Sequence, residues 1–127
     1  MERICCKERG AEIKWGAIMT EYDKLIRDKI PELIEASGKR CITEEMDTDT
    51  YIQYLDKKLN EELAEYQADK SLEELADLLE VMYAVIIARG YSVEELERVR
   101  KEKAEKRGGF EKRLRLKGVI DNGSEKI

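Results

Sequence analysis

The stretch from Leu75 to Ala88, LADLLEVMYAVIIA, is apolar almost all the way round a helix. A helix of this kind is buried on most of its circumference, so the rest of the chain must supply partners that cover it. Asp77 and Glu80 interrupt the apolar run. Because burying an unpaired carboxylate costs several kcal/mol, we expect both acids to have a basic partner or a metal ion.

Apolar spacing and stop signals predict an all-α helical bundle of about four helices. The helices are expected at 31–37, 48–68, 72–89 and 93–107. Pro31, the only proline, fits the first turn of a helix but not its interior, so a separate turn is expected at Lys24–Lys29. Short extended segments are predicted near 39–46, as a short strand or an ordered, irregular loop, and near 110–118, as a short strand or an extended arm.

The length of 127 residues predicts one domain, which we assign to 21–118. Residues 1–20 show no sustained period and are interpreted as an N-terminal extension, with 119–127 as a polar tail. The extension is either disordered or docked through Ile4, Ile13, Trp15 and Ile18. Helices this apolar have more surface than a small bundle can cover, which predicts a homo-oligomer, a dimer or tetramer.

Acidic residues gather at the junction of the second and third predicted helices. Glu62 and Glu65 are three residues apart, as are Glu74 and Asp77, so each pair lies on one helix face. Carboxylates brought together by a short connection repel one another unless a cation lies among them, and Mg²⁺ prefers oxygen ligands. The pattern predicts a magnesium site. The competing interpretations are a solvated acidic surface and, for Glu74, a capping box with Ser71.

The residue types that are missing narrow the chemistry further. The chain has no histidine, which excludes His-based triads and His-ligated zinc. Cys5, Cys6 and Cys41 have no metal-ligand spacing, and their odd number argues against a disulfide framework, so a reducing cytoplasm is expected. No apolar stretch reaches the roughly 20 residues of a membrane span, and no membrane partner is expected.

Charge is unevenly distributed around a net value of −5. Glu44–Glu80 carries 13 acids and 3 bases, whereas Arg98–Lys117 carries 10 bases and 3 acids. The net charge does not favour a nucleic-acid polymer as partner. An acidic centre and a basic segment can instead hold a metal ion and a polyanion side by side.

The acidic pattern Glu61-Glu62-x-x-Glu65 followed by Glu74-x-x-Asp77 resembles that of the MazG-like all-α nucleoside triphosphate pyrophosphohydrolases. That superfamily includes phosphoribosyl-ATP pyrophosphatase and dimeric dUTPase. Two further stretches, LIRDKIPELI at 25–34 and KAEKRGGFEKR at 103–113, are similar to a subgroup that removes noncanonical nucleotides, the house-cleaning pyrophosphatases. The resemblance spans about 22–116.

The resemblance implies a magnesium enzyme, with manganese as a substitute, that cleaves a nucleoside triphosphate to a monophosphate and pyrophosphate. The implied metal ligands are Glu62, Glu65, Glu74 and Asp77. Glu61, beside the catalytic ligand Glu62, would orient or deprotonate the attacking water, and Glu80 would support the ligands from one turn beyond Asp77. The residues implied to bind the phosphates are Lys24, Arg27, Lys29, Lys103, Lys106, Arg107, Gly108 and Gly109.

Three alternatives remain at this stage. Basic residues followed by glycines also occur at an ordinary helix C-terminus, which would explain Lys106 to Gly109 without a ligand. Phosphoribosyl-ATP hydrolysis in histidine biosynthesis uses the same family fold. A noncatalytic helical oligomerisation or adaptor module would use the acidic face to bind basic partners.

Overall fold

The structure, a computed structural model, describes residues 10–13 and 17–123. The chain is all-α, as predicted: the described residues form four helices, preceded by one short hairpin. The helices are α1 (Ile30–Ala36), α2 (Thr48–Asp69), α3 (Leu72–Ala88) and α4 (Val93–Arg107). Within the described part of the chain, no helix combines the length and the apolar character needed to cross a membrane.

The hairpin lies where the sequence predicted only an extension. Strand β1 (Gly10–Ile13) pairs antiparallel with β2 (Ala17–Thr20). Ile18 is 74% exposed, so its side chain does not dock as the second interpretation of the extension required. Several residues named above for the two termini lie outside the part of the chain that the structure describes. They are Ile4, Cys5, Cys6 and Trp15, the side chain of Ile13, and the end of the polar tail at 124–127.

Helix α1 begins one residue before Pro31. Pro31 lies in the first helical turn, where its missing N–H breaks no hydrogen bond. Immediately before it, the Ile30 N–H donates to the Arg27 carbonyl at 3.1 Å, which closes a turn in the predicted 24–29 segment. The Ile30 side chain is buried, so this end of the segment is anchored in the core.

Residues 39–47 connect α1 to α2 without regular structure, which is the irregular alternative for the segment predicted near 39–46. Asp47 caps α2 by accepting a hydrogen bond from the Thr50 N–H at 2.8 Å. The same hydrogen bond lowers the pKa of the Asp47 carboxyl below its ordinary value. Asp47 directly precedes the predicted start of the helix at 48, and its carboxylate lies over the first free N–H groups.

Two residues, Lys70 and Ser71, connect α2 to α3. Lys70 has a left-handed backbone with φ of 56°, which ends α2 and reverses the chain. Ser71 then caps α3, and its Oγ accepts a hydrogen bond from the Glu74 N–H at 3.3 Å, as the sequence predicted. Such a cap contributes about 1 kcal/mol to helix stability.

Helices α2 and α3 pack side by side as an antiparallel hairpin. Far from the connection, Arg89 just after α3 pairs with Asp56 of α2, with 3.1 Å between Nη2 and Oδ2. Leu55, next to Asp56, is buried with only 2% of its surface exposed. The pairing reports the register of the two helices, in which the second half of α2 lies beside the first half of α3.

Helix α3 is less covered in the single chain than its composition predicted. Its exposed large apolar side chains are Leu72, Leu75, Leu79, Met82 and Ile87. The first four recur at intervals of three, four and three residues, which places them on one face. At 100° per residue this apolar stripe lies opposite Glu74 and Asp77 on the same helix. The expectation that α3 is buried on most of its circumference therefore does not hold within one chain.

Internal contacts divide the chain into two compact units, Met1–Val93 and Glu94–Ile127. The second unit contains nearly all of α4, which ends as predicted at Gly108, where φ is 80°. No residue of α4 is buried, and its surface carries ion pairs between neighbouring turns, such as Arg100 with Glu97 at 2.7 Å. The stretch near 110–118, predicted as a short strand or an extended arm, forms no strand. The domain limits assigned at 21 and 118 stay predictions.

Candidate metal centre

Three of the four predicted metal ligands come together across the α2–α3 hairpin. One carboxylate oxygen from each of Glu62, Glu74 and Asp77 lies within 4.8 Å of the other two. Glu62 lies two turns before the end of α2, and Glu74 and Asp77 lie in the first two turns of α3. The antiparallel register makes these turns neighbours, which is why residues twelve and fifteen positions apart can meet.

Two members of this cluster each have one buried carboxylate oxygen without a hydrogen-bond donor. Only 2% of Glu62 and 6% of Glu74 is exposed. Among the described residues, no donor reaches Oε2 of either side chain. A buried carboxylate oxygen without a partner is costly, because it has lost water and gained nothing in return. This distinguishes the cluster from ordinary surface acids, which remain hydrated.

A buried lysine lies on the other side of Glu62. Lys58 Nζ is 3.4 Å from Glu62 Oε1 and 3.6 Å from Glu61 Oε2, and only 6% of the lysine side chain is exposed. Lys58 was not among the residues predicted for the site. Its spacing from Glu61 and Glu62, three and four residues earlier on α2, was the available signal, because such positions are neighbours on a helix.

Asp77 has a basic partner from outside the hairpin. Arg27 Nη2 donates to Asp77 Oδ1 at 2.7 Å, a charge-assisted hydrogen bond. The Asp77 side chain is 24% exposed and Arg27 is 45% exposed, so the guanidinium reaches the carboxylate from the solvent side. The prediction that Asp77 needs a basic partner or a metal is met here by Arg27. Arg27 itself was expected to bind phosphate, not a carboxylate of the cluster.

Glu65, the fourth predicted ligand, lies close enough to the cluster for Glu62 and Glu74 to raise its pKa. Burial, followed by the negative charges of Glu62 and Glu74, raises the pKa of Glu65 to about 7. A carboxyl with this pKa keeps its proton up to a pH well above its ordinary pKa of 4.5. It can share that proton with its acidic neighbours. Glu65 therefore behaves as part of the same acidic group.

The cap at the start of α3 and the carboxylate cluster use different atoms of Glu74. Its backbone N–H is the group that Ser71 caps, whereas a carboxylate oxygen of the same residue lies beside Glu62 and Asp77. The cap therefore leaves the side chain available to the cluster, and the ligand role of Glu74 stays a prediction.

The remaining predicted residues are distributed over both units. Glu61 lies beside the cluster in α2, half-buried, with Lys58 as its ion-pair partner. Glu80 is exposed to solvent, so its charge is hydrated in the single chain. In the first unit, Lys24 is half-buried and Lys29 is exposed. The exposed residues Lys103, Lys106, Arg107, Gly108 and Gly109 belong to the second unit.

Comparison with known proteins provides one partial match. No protein-family model matches the chain, and no solved structure matches it. A protein of Mycolicibacterium smegmatis, described only as uncharacterized, is 49% identical over 45 residues. The aligned part is 35% of this chain and 46% of that protein, so the chain spans less than half the length of this relative. These comparisons assign no function, so the function is inferred from the chemistry of the carboxylates.

The carboxylates suit a magnesium ion in donor type, and they converge closely enough to share one after side-chain movement. Mg²⁺ holds oxygen ligands at about 2.1 Å, so two ligands of one ion are about 3 Å apart when adjacent and about 4.2 Å apart when opposite. The oxygens of Glu62, Glu74 and Asp77 lie within 4.8 Å of one another, so rotation of the side chains must bring them closer together on one ion. The unpartnered oxygens of Glu62 and Glu74 would gain the positive partner that they lack.

Proposed function

We propose that this protein is a magnesium-dependent nucleoside triphosphate pyrophosphohydrolase that converts a nucleoside triphosphate and water to a monophosphate and pyrophosphate. The observation that carries the proposal is the pair of buried oxygens, Glu62 Oε2 and Glu74 Oε2, which have no donor and lie in a group of three convergent carboxylates. The resemblance of the acidic pattern to the MazG-like enzymes supplies the reaction.

Glu62, Glu74 and Asp77 would hold the ion, with Glu65 joining them once its proton has left. A bound magnesium ion would neutralise charge on the phosphates and lower the pKa of coordinated water. Glu61 is a candidate for orienting the attacking water and accepting its proton, because it is next to Glu62 and half-exposed. Lys58 would hold Glu61 and Glu62 in place through its contacts at 3.6 and 3.4 Å.

We propose nucleotides with altered bases as the substrate class, on the basis of the resemblance of LIRDKIPELI and KAEKRGGFEKR to the house-cleaning subgroup. Lys24, Arg27 and Lys29 would contribute positive charge from the first unit. Arginine and lysine bind phosphate oxygens through charge-assisted hydrogen bonds.

The apolar stripe on α3 supports a homo-oligomer as the working form. Its members Leu72, Leu75, Leu79 and Met82 are all more than 40% exposed in the single chain and have the spacing of a coiled-coil seam. A second copy of α3 offers a matching stripe, so a two-fold interface would cover both. The stripe lies opposite Glu74 and Asp77, so such an interface leaves the α2-facing side of α3 unchanged.

The direct test is pyrophosphate release from a panel of standard and damaged nucleoside triphosphates, with magnesium, with manganese and with a chelator. We expect equal amounts of nucleoside monophosphate and pyrophosphate, and no product when the metal is removed. Asp77→Asn should abolish the reaction and Glu73→Gln, an exposed acid of the same helix, should not. A noncatalytic adaptor would release no pyrophosphate with any member of the panel.

A further inference from the structure

We propose that Arg27 is a positioning residue that competes with the metal ion for Asp77 and transfers to the phosphate chain when nucleotide binds. Metal and nucleotide would then bind cooperatively. Each of them breaks the Arg27–Asp77 contact, and that contact hinders the binding of both. The inference rests on the function proposed above and concerns how the same site is regulated.

The contact that opposes metal binding is the hydrogen bond from Arg27 Nη2 to Asp77 Oδ1 at 2.7 Å. Asp77 also contributes an oxygen to the three-carboxylate cluster. A guanidinium on Asp77 satisfies part of the negative charge that a divalent cation would otherwise satisfy. Two cations bound to the same carboxylate also repel each other, so binding of one must weaken binding of the other.

The two basic residues at the cluster differ in their freedom to leave. Lys58 is buried and pairs with residues of its own helix, Glu61 and Glu62, so it is a fixed part of the site. Arg27 is 45% exposed and belongs to the irregular segment before α1. Only Arg27 can move to a ligand without exposing a buried charge.

The backbone around Arg27 is anchored on both sides, so a side-chain movement is sufficient for the exchange. Before it, Asp23 Oδ1 accepts a hydrogen bond from the Tyr54 hydroxyl of α2 at 2.6 Å. After it, Ile30 is buried and bonded to the Arg27 carbonyl. The long arginine side chain can therefore swing from Asp77 toward an incoming phosphate, whose oxygens match the donor fork of a guanidinium.

Thermodynamic linkage gives the exchange a measurable signature. If nucleotide removes Arg27 from Asp77, nucleotide raises the affinity for metal, and metal raises the affinity for nucleotide by the same factor. Removing the Arg27 charge should then strengthen metal binding in the absence of nucleotide. A purely structural role for the ion pair predicts the opposite, because loss of the contact would leave Asp77 less well positioned.

The experiment is calorimetric titration of the full chain with Mn²⁺ and Mg²⁺, with no nucleotide present. We expect Arg27→Gln to bind metal roughly two- to fivefold more tightly than the wild type, the range set by a partly exposed ion pair. Arg27→Lys keeps the charge without the donor fork and should lie between them. The matched control is Arg89→Gln, which removes the Arg89–Asp56 pair of similar exposure and should leave the metal affinity unchanged.

A second titration includes a saturating α,β-methylene analogue of the nucleoside triphosphate, which cannot be cleaved at that bond. The analogue should raise the metal affinity of the wild type and have a much smaller effect on Arg27→Gln. Circular dichroism checks that each variant is folded. If Arg27→Gln does not fold, the test is the smaller increase in metal affinity expected for Arg27→Lys.

Unchanged or weaker metal binding by folded Arg27→Gln, with wild-type binding and pyrophosphate release intact, overturns the inference and leaves the proposed function standing. If the wild type binds no metal and releases no pyrophosphate, the proposed function fails, and the inference fails with it.

Discussion

Lys58 Nζ lies 3.4 Å from Glu62 Oε1, and both side chains are almost completely buried. The lysine is therefore a permanent counter-ion inside an acidic cluster. It occupies one oxygen of Glu62, while the other, Oε2, remains unpartnered beside Glu74 and Asp77. The pair explains how α2 can bury a carboxylate that has not yet met a metal ion, because part of its charge is already compensated.

The first prediction concerns the loss of this counter-ion. Lys58→Met keeps the length of the side chain but leaves Glu62 as a buried, uncompensated charge. Breaking a buried pair in this way costs about 3–5 kcal/mol, so the free energy of unfolding in metal-free buffer should fall by about that amount. Urea denaturation followed by circular dichroism measures the change.

Magnesium should restore part of the loss in Lys58→Met, since the ion compensates the same carboxylate. Lys39→Met, which changes an exposed lysine in the same unit, is the control and should alter the unfolding free energy by less than about 0.5 kcal/mol. A Lys58→Met protein as stable as the control would contradict a structural role for the Lys58–Glu62 pair.

The second prediction is a pH dependence from Glu65. Its pKa is about 7 in the folded protein, against an ordinary value of 4.5, so between these values the folded state holds a proton that the unfolded state has lost. The stabilisation by this proton is complete below about pH 4.5 and is lost as the pH rises through 7. Metal-free wild-type protein should therefore lose stability across this window relative to Glu65→Gln, which does not titrate.

The measurement is the difference in unfolding free energy between wild type and Glu65→Gln from pH 4 to pH 8. The difference should increase in favour of the variant as the pH rises. Exposed Glu73→Gln serves as control and should show no such trend. A flat difference for Glu65→Gln would mean that neither burial nor the charges of Glu62 and Glu74 raise the pKa of Glu65.

Much of the local structure followed from the sequence, because it depends on neighbouring residues. The start of α3 at Ser71 and the end of α4 at Gly108 were predicted within a residue, since caps and glycines act over one turn. The convergence of Glu62, Glu74 and Asp77 also followed, because a two-residue connection leaves few arrangements for the hairpin.

Contacts between distant segments were harder to predict. Arg27 and Asp77 are fifty residues apart, and nothing in the local pattern of either one indicates their hydrogen bond. The β1–β2 hairpin was missed because its four-residue strands show no sustained alternation of apolar and polar residues. Lys58 was missed for a different reason: lysine is rarely buried, so the sequence alone favours a solvated position.

The third prediction concerns the acid of the cluster that has no basic partner. Glu62 and Asp77 pair with Lys58 and Arg27, so neutralising either of these acids breaks an ion pair. Among the described residues, no ion pair reaches Glu74, and its Oε2 is buried without a donor. Glu74→Gln is therefore the variant that should raise the melting temperature in the presence of a chelator.

The same Glu74→Gln variant should lose most of the stabilisation that millimolar magnesium gives to the wild type, because a ligand has been removed. Differential scanning calorimetry with and without metal measures both effects on one protein. Glu73→Gln, one residue earlier and exposed, should respond to magnesium as the wild type does. A Glu74→Gln protein that magnesium stabilises as strongly as the wild type would remove Glu74 from the ligand set.

The fourth prediction concerns the apolar stripe of Leu72, Leu75, Leu79 and Met82. Burial of apolar surface contributes about 25 cal/mol per Å², so covering this stripe with a second copy favours association. We expect light scattering during size-exclusion chromatography at micromolar concentration to give the mass of a dimer or tetramer. Leu79→Glu places a charge in the middle of the stripe and should shift the protein to a monomer.

Ile42→Glu is the matched control, because Ile42 is apolar and 82% exposed but lies outside the stripe, in the connection between α1 and α2. It should leave the mass unchanged. The stripe lies opposite Glu74 and Asp77, so Leu79→Glu should also keep most of the affinity for metal in the same buffer. A monomeric wild type would show that the exposed stripe is not an interface between copies, whereas an oligomeric Leu79→Glu would place the interface elsewhere on the chain.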